Sequence, residues 1–316
     1  MITPETIQDM LIAADTLPLF EDTRIHDPRD ASLFDGPLVV AQKAPPASLG
    51  RIRTAVIPAG AVFNASFYGY SGRHHEHGGL LVRYLSLLIG SKIALWQVLI
   101  TSGEFGFERD TIEKATIDGL RVVPLEALSS DERVSITTLF QDVQIGRDGA
   151  WDKVDEWFAD LFSLRARDLQ VIKDTLEYNL PFSSNRHKAQ ARPTNQIVEH
   201  FCNVLSDELR PWAERFGKAI QAVPGKSIEL SPWRSLRICS GAPNAAPYGE
   251  PALDWSKFLP LADHFAASEV TLAEDDGCLW LGRLDQARYW SETQARQLAQ
   301  RVVWEHVDLL KGLDHT

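Results

Sequence analysis

The chain has 316 residues, of which 44% are apolar and 24% charged, and its formal net charge at pH 7 is −11. This composition is that of a globular protein, long enough for two or three domains, and it excludes a chain that is mainly disordered. A net acidic charge gives no general argument for nucleic-acid binding, so any such argument must come from the local distribution of charge.

Residues 1–36 are acidic, with eight carboxylates against Arg24 and Arg29. We expect this segment to be a lead-in to the fold or a contact for a partner, because it is far too short for a catalytic domain. The segments LVVAQ, RIRTAVI and AVFNASFYGY follow, rich in β-branched and aromatic residues and separated by proline and glycine. They predict a small sheet within residues 38–70.

The loop at residues 71–79 has the sequence Arg-His-His-Glu-His between glycines. Histidine and glutamate can ligate a metal, but adjacent side chains in a loop seldom converge on one ion, and no distant Cys or His completes a ligand set. A basic loop of hydrogen-bonding side chains is better suited to DNA, with Arg73 contacting guanine or phosphate and the histidines donating or accepting. A solvated turn with no binding role is the remaining interpretation.

Apolar residues within 80–99 are spaced three and four apart, which predicts one buried helix. Ser86, Gly90 and Ala94 fall on another face of it, where small side chains would let a second backbone approach closely. The segment that follows predicts, in order, a turn with Gly103 and Gly106, a charged stretch with Glu108, Arg109 and Asp110, a short helix, and a strand at 120–125.

Positive charge is concentrated in residues 41–100, which contain six Lys or Arg side chains against the single acid Glu76, a net charge of +5. Such an island in an acidic chain is the charge distribution expected of a surface for a phosphate backbone. A chance cluster on a solvated face is the alternative. The six cations of this basic island are Lys43, Arg51, Arg53, Arg73, Arg83 and Lys92.

Four pieces of this region occur in a fixed order. They are FDGPLVV at 34–40, Gly90-Ser91-Lys92 in the predicted helix, the loop from Gly103 to Arg109, and Val122-Val123-Pro124. In this order they resemble the target-recognition region of N6-adenine DNA methyltransferases, which reads sequence in type I specificity subunits and fused type II enzymes. That family usually has asparagine where Gly90 stands.

The resemblance implies a DNA sequence-recognition subunit that binds double-stranded DNA and works with a separate N6-adenine methyltransferase chain. It also implies that S-adenosylmethionine is bound by that partner and that this chain carries no cofactor. Helices after the recognition region would dock the partner enzyme. Dimerisation, which would allow two halves of a bipartite site to be read, stays open.

The middle of the chain is predicted to be helical. Ser129 begins one helix, two more run through 151–178 with a break near Ser163, and Thr194 begins another. Between them, residues 185–192 form a second basic segment, which could lie along a phosphate backbone or serve as an exposed linker. This segment contains Arg186, His187, Lys188 and Arg192.

The last third predicts a β-α-β-β-α unit. Residues 227–240 read as a strand, 254–267 as a helix, and 269–284 as a hairpin turning at Asp276-Gly277. A long helix from Ser291 to Gly312 follows. A polar cluster stands where hairpin and helix meet, and we favour a structural role for it over an active site. Its members are Arg283, Asp285, Gln286, Arg288 and Tyr289.

Catalytic motifs are missing from the sequence. An adenine methyltransferase needs a glycine-rich cofactor loop and an Asn/Asp-Pro-Pro-aromatic motif for the flipped base, and neither occurs. Cys202, Cys239 and Cys278 contain no CxxC pair and predict neither a zinc knuckle nor a disulfide framework, which fits a reducing cytoplasm. No secretory leader or uninterrupted apolar span is evident, so we expect a cytoplasmic protein that does not cross a membrane.

The sequence therefore predicts an α+β protein with four parts: an acidic lead-in (1–36), a recognition-like domain (37–128), a helical connector (129–222) and a C-terminal α+β unit (223–316). Two other functions stay open: a nuclease-like defence effector with its site in the C-terminal unit, and a degenerate recognition fold that binds only protein. The side chains predicted to contact DNA are Lys43, Arg51, Arg53, Arg73, His74, His75, His77, Lys92, Arg109, Arg186, Lys188 and Arg192.

Overall fold

The computed structural model describes residues 1–4, 7, 10–21, 30–106, 108–180, 183–225, 231–241, 268–273 and 278–311. The chain divides into two compact units, Met1–Ser184 and Asn185–Thr316. Each unit combines helices with an antiparallel sheet, which confirms the predicted α+β class. The boundary between the units lies inside the segment predicted as a helical connector.

The first unit contains a three-stranded sheet of order β2-β1-β3, antiparallel throughout. Its strands are β1 (Leu38–Gln42), β2 (Thr54–Ile57) and β3 (Phe67–Ser71). β1 and β2 lie inside predicted strand segments, and β3 extends one residue beyond the third segment, to Ser71. The apolar run in β1 does not alternate with polar residues because both faces of the sheet are covered.

Alternate residues of β1 enter two different hydrophobic clusters. Val39 and Ala41 pack with the helices of the first unit, whereas Leu38 and Val40 pack with the N-terminal residues Ile2, Ile7 and Ile12. The N-terminal segment also bonds to β2, where the Ile12 N–H donates to the Val56 carbonyl at 2.9 Å. The beginning of the predicted lead-in is thus part of the fold and covers one face of the sheet.

The predicted helix over residues 80–99 is two helices, so the prediction of one continuous helix is wrong. They are α1 (Gly78–Gly90) and α2 (Lys92–Thr101), joined at a bend of 64°. The break occurs at Ser91, whose hydroxyl oxygen accepts from the Ala94 N–H at 3.1 Å and whose hydroxyl donates to the Leu88 carbonyl at 2.7 Å. Serine here caps the second helix instead of continuing the first.

The small residues of α1 also act differently from the prediction. The position that a Cβ on Gly90 would take is 2.4 Å from the ring of Trp151, so the missing side chain makes room for an aromatic ring and not for a second backbone. Ser86 packs on the sheet instead, with its hydroxyl 3.0 Å from that of Thr54.

After α2, the short predicted helix is present as α3 (Lys114–Asp118). Residues 121–124 belong to no helix or strand and form no ladder in the described part of the chain, so the predicted strand at 120–125 is wrong. Leu120 and Leu125 are buried at its two ends, whereas Val122 is exposed. The apolar side chains of residues 120–125 therefore do not indicate a strand; Leu120 and Leu125 anchor a connecting segment to the hydrophobic core.

Three helices complete most of the first unit, as predicted. They are α4 (Ser130–Gln144), α5 (Ala150–Leu161) and α6 (Ala166–Asn179). Ser129 and Glu132 form a reciprocal capping box at the start of α4. Ser163, at the predicted break between α5 and α6, has φ of 54°. A further helix, α7 (Ser183–Gln190), follows.

The second unit packs helices on a four-stranded antiparallel sheet of order β4-β5-β7-β6. Its strands are β4 (Ala219–Pro224), β5 (Trp233–Gly241), β6 (Glu269–Ala273) and β7 (Cys278–Leu284), and its helices are α8 (Asn195–Glu214), α9 (Glu292–Glu305) and α10 (Val307–Lys311). Thr194 caps α8, as predicted.

The β6–β7 pairing confirms the predicted hairpin, while its turn and the predicted helix at 254–267 lie outside the described residues. The helix predicted to run from Ser291 to Gly312 stops at Glu305. His306 leaves the helical conformation, and the turn it makes buries Leu309 and Leu310 in the core of the second unit.

Cys239 on β5 and Cys278 on β7 are directly opposite each other and form a disulfide, with Cα atoms 4.4 Å apart. The prediction that the cysteines support no disulfide is therefore wrong. Sequence spacing could not reveal this pair, because it is the strand register that brings together residues 39 positions apart.

Within the described residues, no single helix has both the length and the apolar character needed to cross a bilayer. Helices α1 and α2 meet that criterion only when taken together across their 64° bend.

Candidate nucleic-acid interface

The loop between β3 and α1 is held in a compact shape by its glycines. The Gly72 N–H donates to the Pro37 carbonyl at 2.7 Å, and the Gly78 N–H donates to the His75 carbonyl at 3.0 Å. A Cβ on Gly78 would lie 2.3 Å from the Gly72 carbonyl oxygen, so the two ends of the loop approach too closely for a side chain at this position. The loop therefore presents residues 73–77 directly at the start of α1.

Four side chains within residues 73–77 face solvent: Arg73, His74, Glu76 and His77. Arg73 forms an ion pair with Asp35, in which both side chains are about half exposed. The N-terminal end of a helix carries partial positive charge, and α1 has no acidic residue in its first turn. One cation, two imidazoles, one carboxylate and a helix N-terminus thus stand at one position on the surface.

His75 has a different role from its neighbours. Its Nδ1 accepts from the His77 N–H at 3.0 Å, so the ring proton lies on Nε2, which donates to Glu126 Oε1 at 2.8 Å. The pKa of the Glu126 carboxyl is lowered, first by a hydrogen bond from its own backbone N–H and then by His75. His75 therefore ties the loop to the segment before α4 and has little capacity left for a ligand.

Metal binding is one of the three interpretations of this loop's sequence. In the described ranges of the chain, no three His, Cys, Asp or Glu side chains are grouped as a metal ion would require.

Cations of the basic island lie at both ends of α1. Arg73 lies in the loop before Gly78, whereas Arg51 donates to the Gly90 carbonyl at 3.2 Å. At 1.5 Å per residue, the ends of a helix of 13 residues are roughly 18 Å apart. A stretch that is continuous in sequence therefore does not form one positive surface.

Arg51 is buried, with 5% of its surface exposed, and makes two hydrogen bonds to Asp155 of α5, at 3.1 and 2.6 Å. Its guanidinium also lies 4.8 Å from the centre of the Trp151 ring. Arg51 is thus a structural residue, and the prediction that it contacts DNA is wrong. Its partner lies 104 positions away, outside the segment over which the island's charge was counted.

Most other cations of the island, together with Arg109, also have partners within the first unit. Lys92 lies 3.6 Å from Asp152 and Arg109 lies 3.0 Å from Glu104. Lys43 lies over the ring of Tyr68, and Arg53 donates to the Ile7 carbonyl. Lys92 and Arg109 are exposed, so a phosphate could still reach them, but each would first have to leave its carboxylate.

The second basic segment belongs to α7 and the residues after it. Arg186 and Lys188 are exposed on α7. Arg192 donates to the Ser231 carbonyl at 2.8 Å and lies 3.9 Å from Asp285, so it attaches this segment to the sheet of the second unit.

The polar cluster after β7 is largely structural, as favoured from the sequence. Arg283 is buried, lies 2.5 Å from Glu269 and is placed over the Phe201 ring, and burial lowers its pKa to about 10. Asp285 is also buried and lies 3.9 Å from Arg234. Arg288 is exposed beside the Tyr289 ring.

No protein-family model, curated protein or solved structure matches the chain significantly. The identity of a target-recognition region therefore stays a prediction, which rests on the four sequence pieces.

Proposed function

We propose that this chain reads DNA sequence as a non-catalytic subunit, acting in the cytoplasm with a separate N6-adenine methyltransferase chain in restriction-modification or phage defence. That partner would bind S-adenosylmethionine and carry out the reaction. The observation that carries the proposal is the exposed group Arg73, His74 and His77 at the start of α1. Arginine binds guanine or phosphate, histidine donates or accepts, and helix N-termini attract phosphate.

Asp35 has a specific part in this proposal. It lies within the FDGPLVV segment and holds the Arg73 guanidinium when no DNA is present. Binding of DNA would replace the Asp35 carboxylate by a phosphate or base as the partner of Arg73. Asp35 would thus position the Arg73 side chain before binding, and it would also compete with DNA for that side chain. Removing this carboxylate should strengthen binding, and removing Arg73 should weaken it.

The test begins with selection of duplexes from a random double-stranded pool, followed by fluorescence anisotropy on a selected and a scrambled duplex. We expect Arg73→Ala to weaken binding of the selected duplex by about 10-fold or more and of the scrambled one by less, because a good base contact contributes roughly 1–3 kcal/mol of discrimination. Asp35→Asn should tighten binding of both. Asp160→Asn, which changes the same charge at an exposed site on α5, is the matched control.

The outcome that contradicts the proposal is an unenriched pool together with affinity that does not change with salt. Phosphate neutralisation releases counterions, so genuine DNA binding must weaken as salt increases. Equal loss on both duplexes for Arg73→Ala would make Arg73 a phosphate contact.

The partner enzyme is tested separately, by retaining host proteins on the tagged chain and identifying them by mass. Recovery of a chain with the Asn/Asp-Pro-Pro-aromatic motif is expected under the subunit proposal. A homodimer would be detected in the same preparation by light scattering.

One observation favours the alternative of a protein-interaction module. Trp212 and Trp304 line an apolar groove of about 420 Å³ in the second unit, and Trp304 is 84% exposed. Exposed apolar patches of this kind mark interaction surfaces. Association with host protein that resists high salt and is lost with Trp304→Ser, without any DNA binding, would support this alternative.

The nuclease alternative has its own test. A metal-dependent loss of plasmid DNA that is abolished by changing Asp285 or Arg288 would support an effector with its site in the C-terminal unit.

A further inference from the structure

An apolar pocket of about 410 Å³ opens on the helical side of the first unit. It lies between α2 and α6, and the turn after α5 closes one side of it. Its apolar lining consists of Ile93, Trp96, Phe162, Leu164, Val171 and Ile172. This volume is in the range of pockets that hold small organic ligands, which typically measure roughly 300–1,000 Å³.

Two polar groups in the lining have no partner among the described residues. The Nε1–H of Trp96 is buried and reaches no acceptor among the described residues. The guanidinium of Arg121 is exposed, and in the described ranges no hydrogen bond or ion pair engages it. A buried donor without an acceptor is costly, and an acceptor that arrives with a ligand would remove that cost.

The remaining polar groups of the pocket are already engaged. Gln97 donates to the Gly119 carbonyl at 3.2 Å and accepts from the backbone N–H of Arg121 at 3.4 Å. Asp168 pairs with Arg165 at 3.1 Å. Within the described lining, the unmatched charge is therefore the positive charge of Arg121.

We propose that this pocket binds a small amphipathic carboxylate. Its apolar body would lie among the apolar side chains of α2 and α6, and its carboxylate would face Arg121, where a charge-assisted hydrogen bond can form. The apolar lining favours a ligand with an apolar body, and the guanidinium of Arg121 favours a negatively charged group at one end of it. This proposal is independent of DNA binding, since none of the loop residues at the start of α1 lines the pocket.

The test uses decanoate as the probe and decanol as its neutral counterpart, titrated into the full chain by isothermal calorimetry below the micellar concentration. We expect decanoate to bind at least tenfold more tightly than decanol. Arg121→Gln should weaken decanoate by about tenfold and leave decanol unchanged. Arg147→Gln is the matched control, because that guanidinium is paired with Asp142 on α4.

A second variant locates the site. Val171, at the exposed edge of α6, lines the pocket, and Val171→Asp should abolish binding of both probes because it places a carboxylate in the apolar lining. Its circular dichroism spectrum and unfolding midpoint show whether the fold is retained. Absence of decanoate binding to the native chain, equal affinity for both probes, or equal losses for Arg121→Gln and Arg147→Gln would each overturn the proposal.

Discussion

The Arg51 guanidinium and the Asp155 carboxylate form a two-point ion pair across 104 positions of sequence, inside the first unit. Asp155 Oδ1 also accepts from the Lys92 N–H at 2.8 Å, so the same carboxylate binds the N-terminus of α2. Arg51 in turn binds the last carbonyl of α1. The pair thus connects the segment before β2, the bend between α1 and α2, and α5.

Removing one member of this pair should be more damaging than removing both. Arg51→Met leaves the Asp155 carboxylate largely buried without its partner, and we expect a loss of about 3–5 kcal/mol in unfolding free energy. Arg51→Met combined with Asp155→Leu replaces the ions with apolar groups and should recover part of that loss. Urea unfolding of the two single variants and the double variant measures the coupling, and additive losses would contradict the pairing.

Gly90 should tolerate no side chain, although it lies in a helix. A Cβ there would be 2.4 Å from the Trp151 ring, and that ring is held against Arg51. We expect Gly90→Ala to lower the unfolding free energy by about 1–3 kcal/mol, as for overpacking.

Gly79→Ala is the matched control for Gly90→Ala in the same helix. A Cβ on Gly79 meets no atom within 4 Å, so this change should be neutral or stabilising by up to about 1 kcal/mol. Thermal unfolding of both variants compares them directly, and a similar loss at the two sites would exclude the contact with Trp151 as the cause.

The three cysteines should react as one buried thiol and one disulfide. Burial raises the pKa of Cys202 to about 12, so its reactive thiolate is scarce at pH 8. We expect the native chain to incorporate no iodoacetamide. The chain unfolded in urea should incorporate one equivalent without reductant, and the chain both unfolded and reduced should incorporate three.

Mass spectrometry after alkylation counts these additions. Two additions on residues 239 and 278 in protein alkylated inside cells would mean that the pair is reduced there. The variant Cys239→Ser with Cys278→Ser should lower the unfolding free energy by about 3–4 kcal/mol relative to the oxidised protein, from the loop of 39 positions that the disulfide closes.

Stability of the first unit should fall in alkali, partly because of Tyr84. Burial raises the pKa of this residue to about 12, and its hydroxyl donates to the Val123 carbonyl at 3.1 Å. In an unfolded chain the pKa of tyrosine is about 10, so the folded state holds the proton of Tyr84 more tightly than the unfolded state does. The stability that Tyr84 contributes is therefore fully present below pH 10 and is lost as pH rises from about 10 to 12.

Tyr84→Phe should therefore show a flatter decline in urea midpoint between pH 9.5 and 11.5 than the native chain. At pH 7 the variant should be weaker by about 1 kcal/mol, because the Val123 carbonyl loses its donor. An unchanged slope in alkali would show that Tyr84 ionises in the folded state as it does in the unfolded chain.

Local patterns in the sequence were sufficient for much of the secondary structure. The β-branched runs gave the three strands of the first sheet, Ser129 and Thr194 gave the starts of α4 and α8, and the alternation on either side of residues 274–277 gave the hairpin of the second sheet. These signals are local, because capping and side-chain alternation depend on neighbours within a few residues.

Two predictions were wrong because the local sequence signal is compatible with more than one structure: the continuous helix across Ser91 and the strand at residues 120–125. Serine can continue a helix or cap a new one, and at Ser91 the position of Asp155 on α5 favours the cap, because its carboxylate accepts from the Lys92 N–H. At residues 120–125 the apolar pattern was that of a strand, but a strand needs a neighbour to accept its hydrogen bonds, and in the described part of the chain none is present.

The candidate site was predictable only as a set of residue types. The sequence identified the loop at 73–77 and the exposed Arg73, but it also counted Arg51, because a net charge taken over a stretch ignores acids that fold back from elsewhere. Asp35, Asp152 and Asp155 lie outside the island and pair with cations inside it.

The sequence by itself determined the α+β class, most of the helices and strands, and the chemistry available in the loop before α1. The tertiary structure decided which cations are free, since pairing with a distant carboxylate is a matter of position in space. It also decided that Cys239 and Cys278 meet and that Arg121, which has no side-chain partner among the described residues, stands beside an apolar pocket. Such contacts join residues that are far apart in the chain, and their energies depend on burial and register, which a linear pattern does not contain.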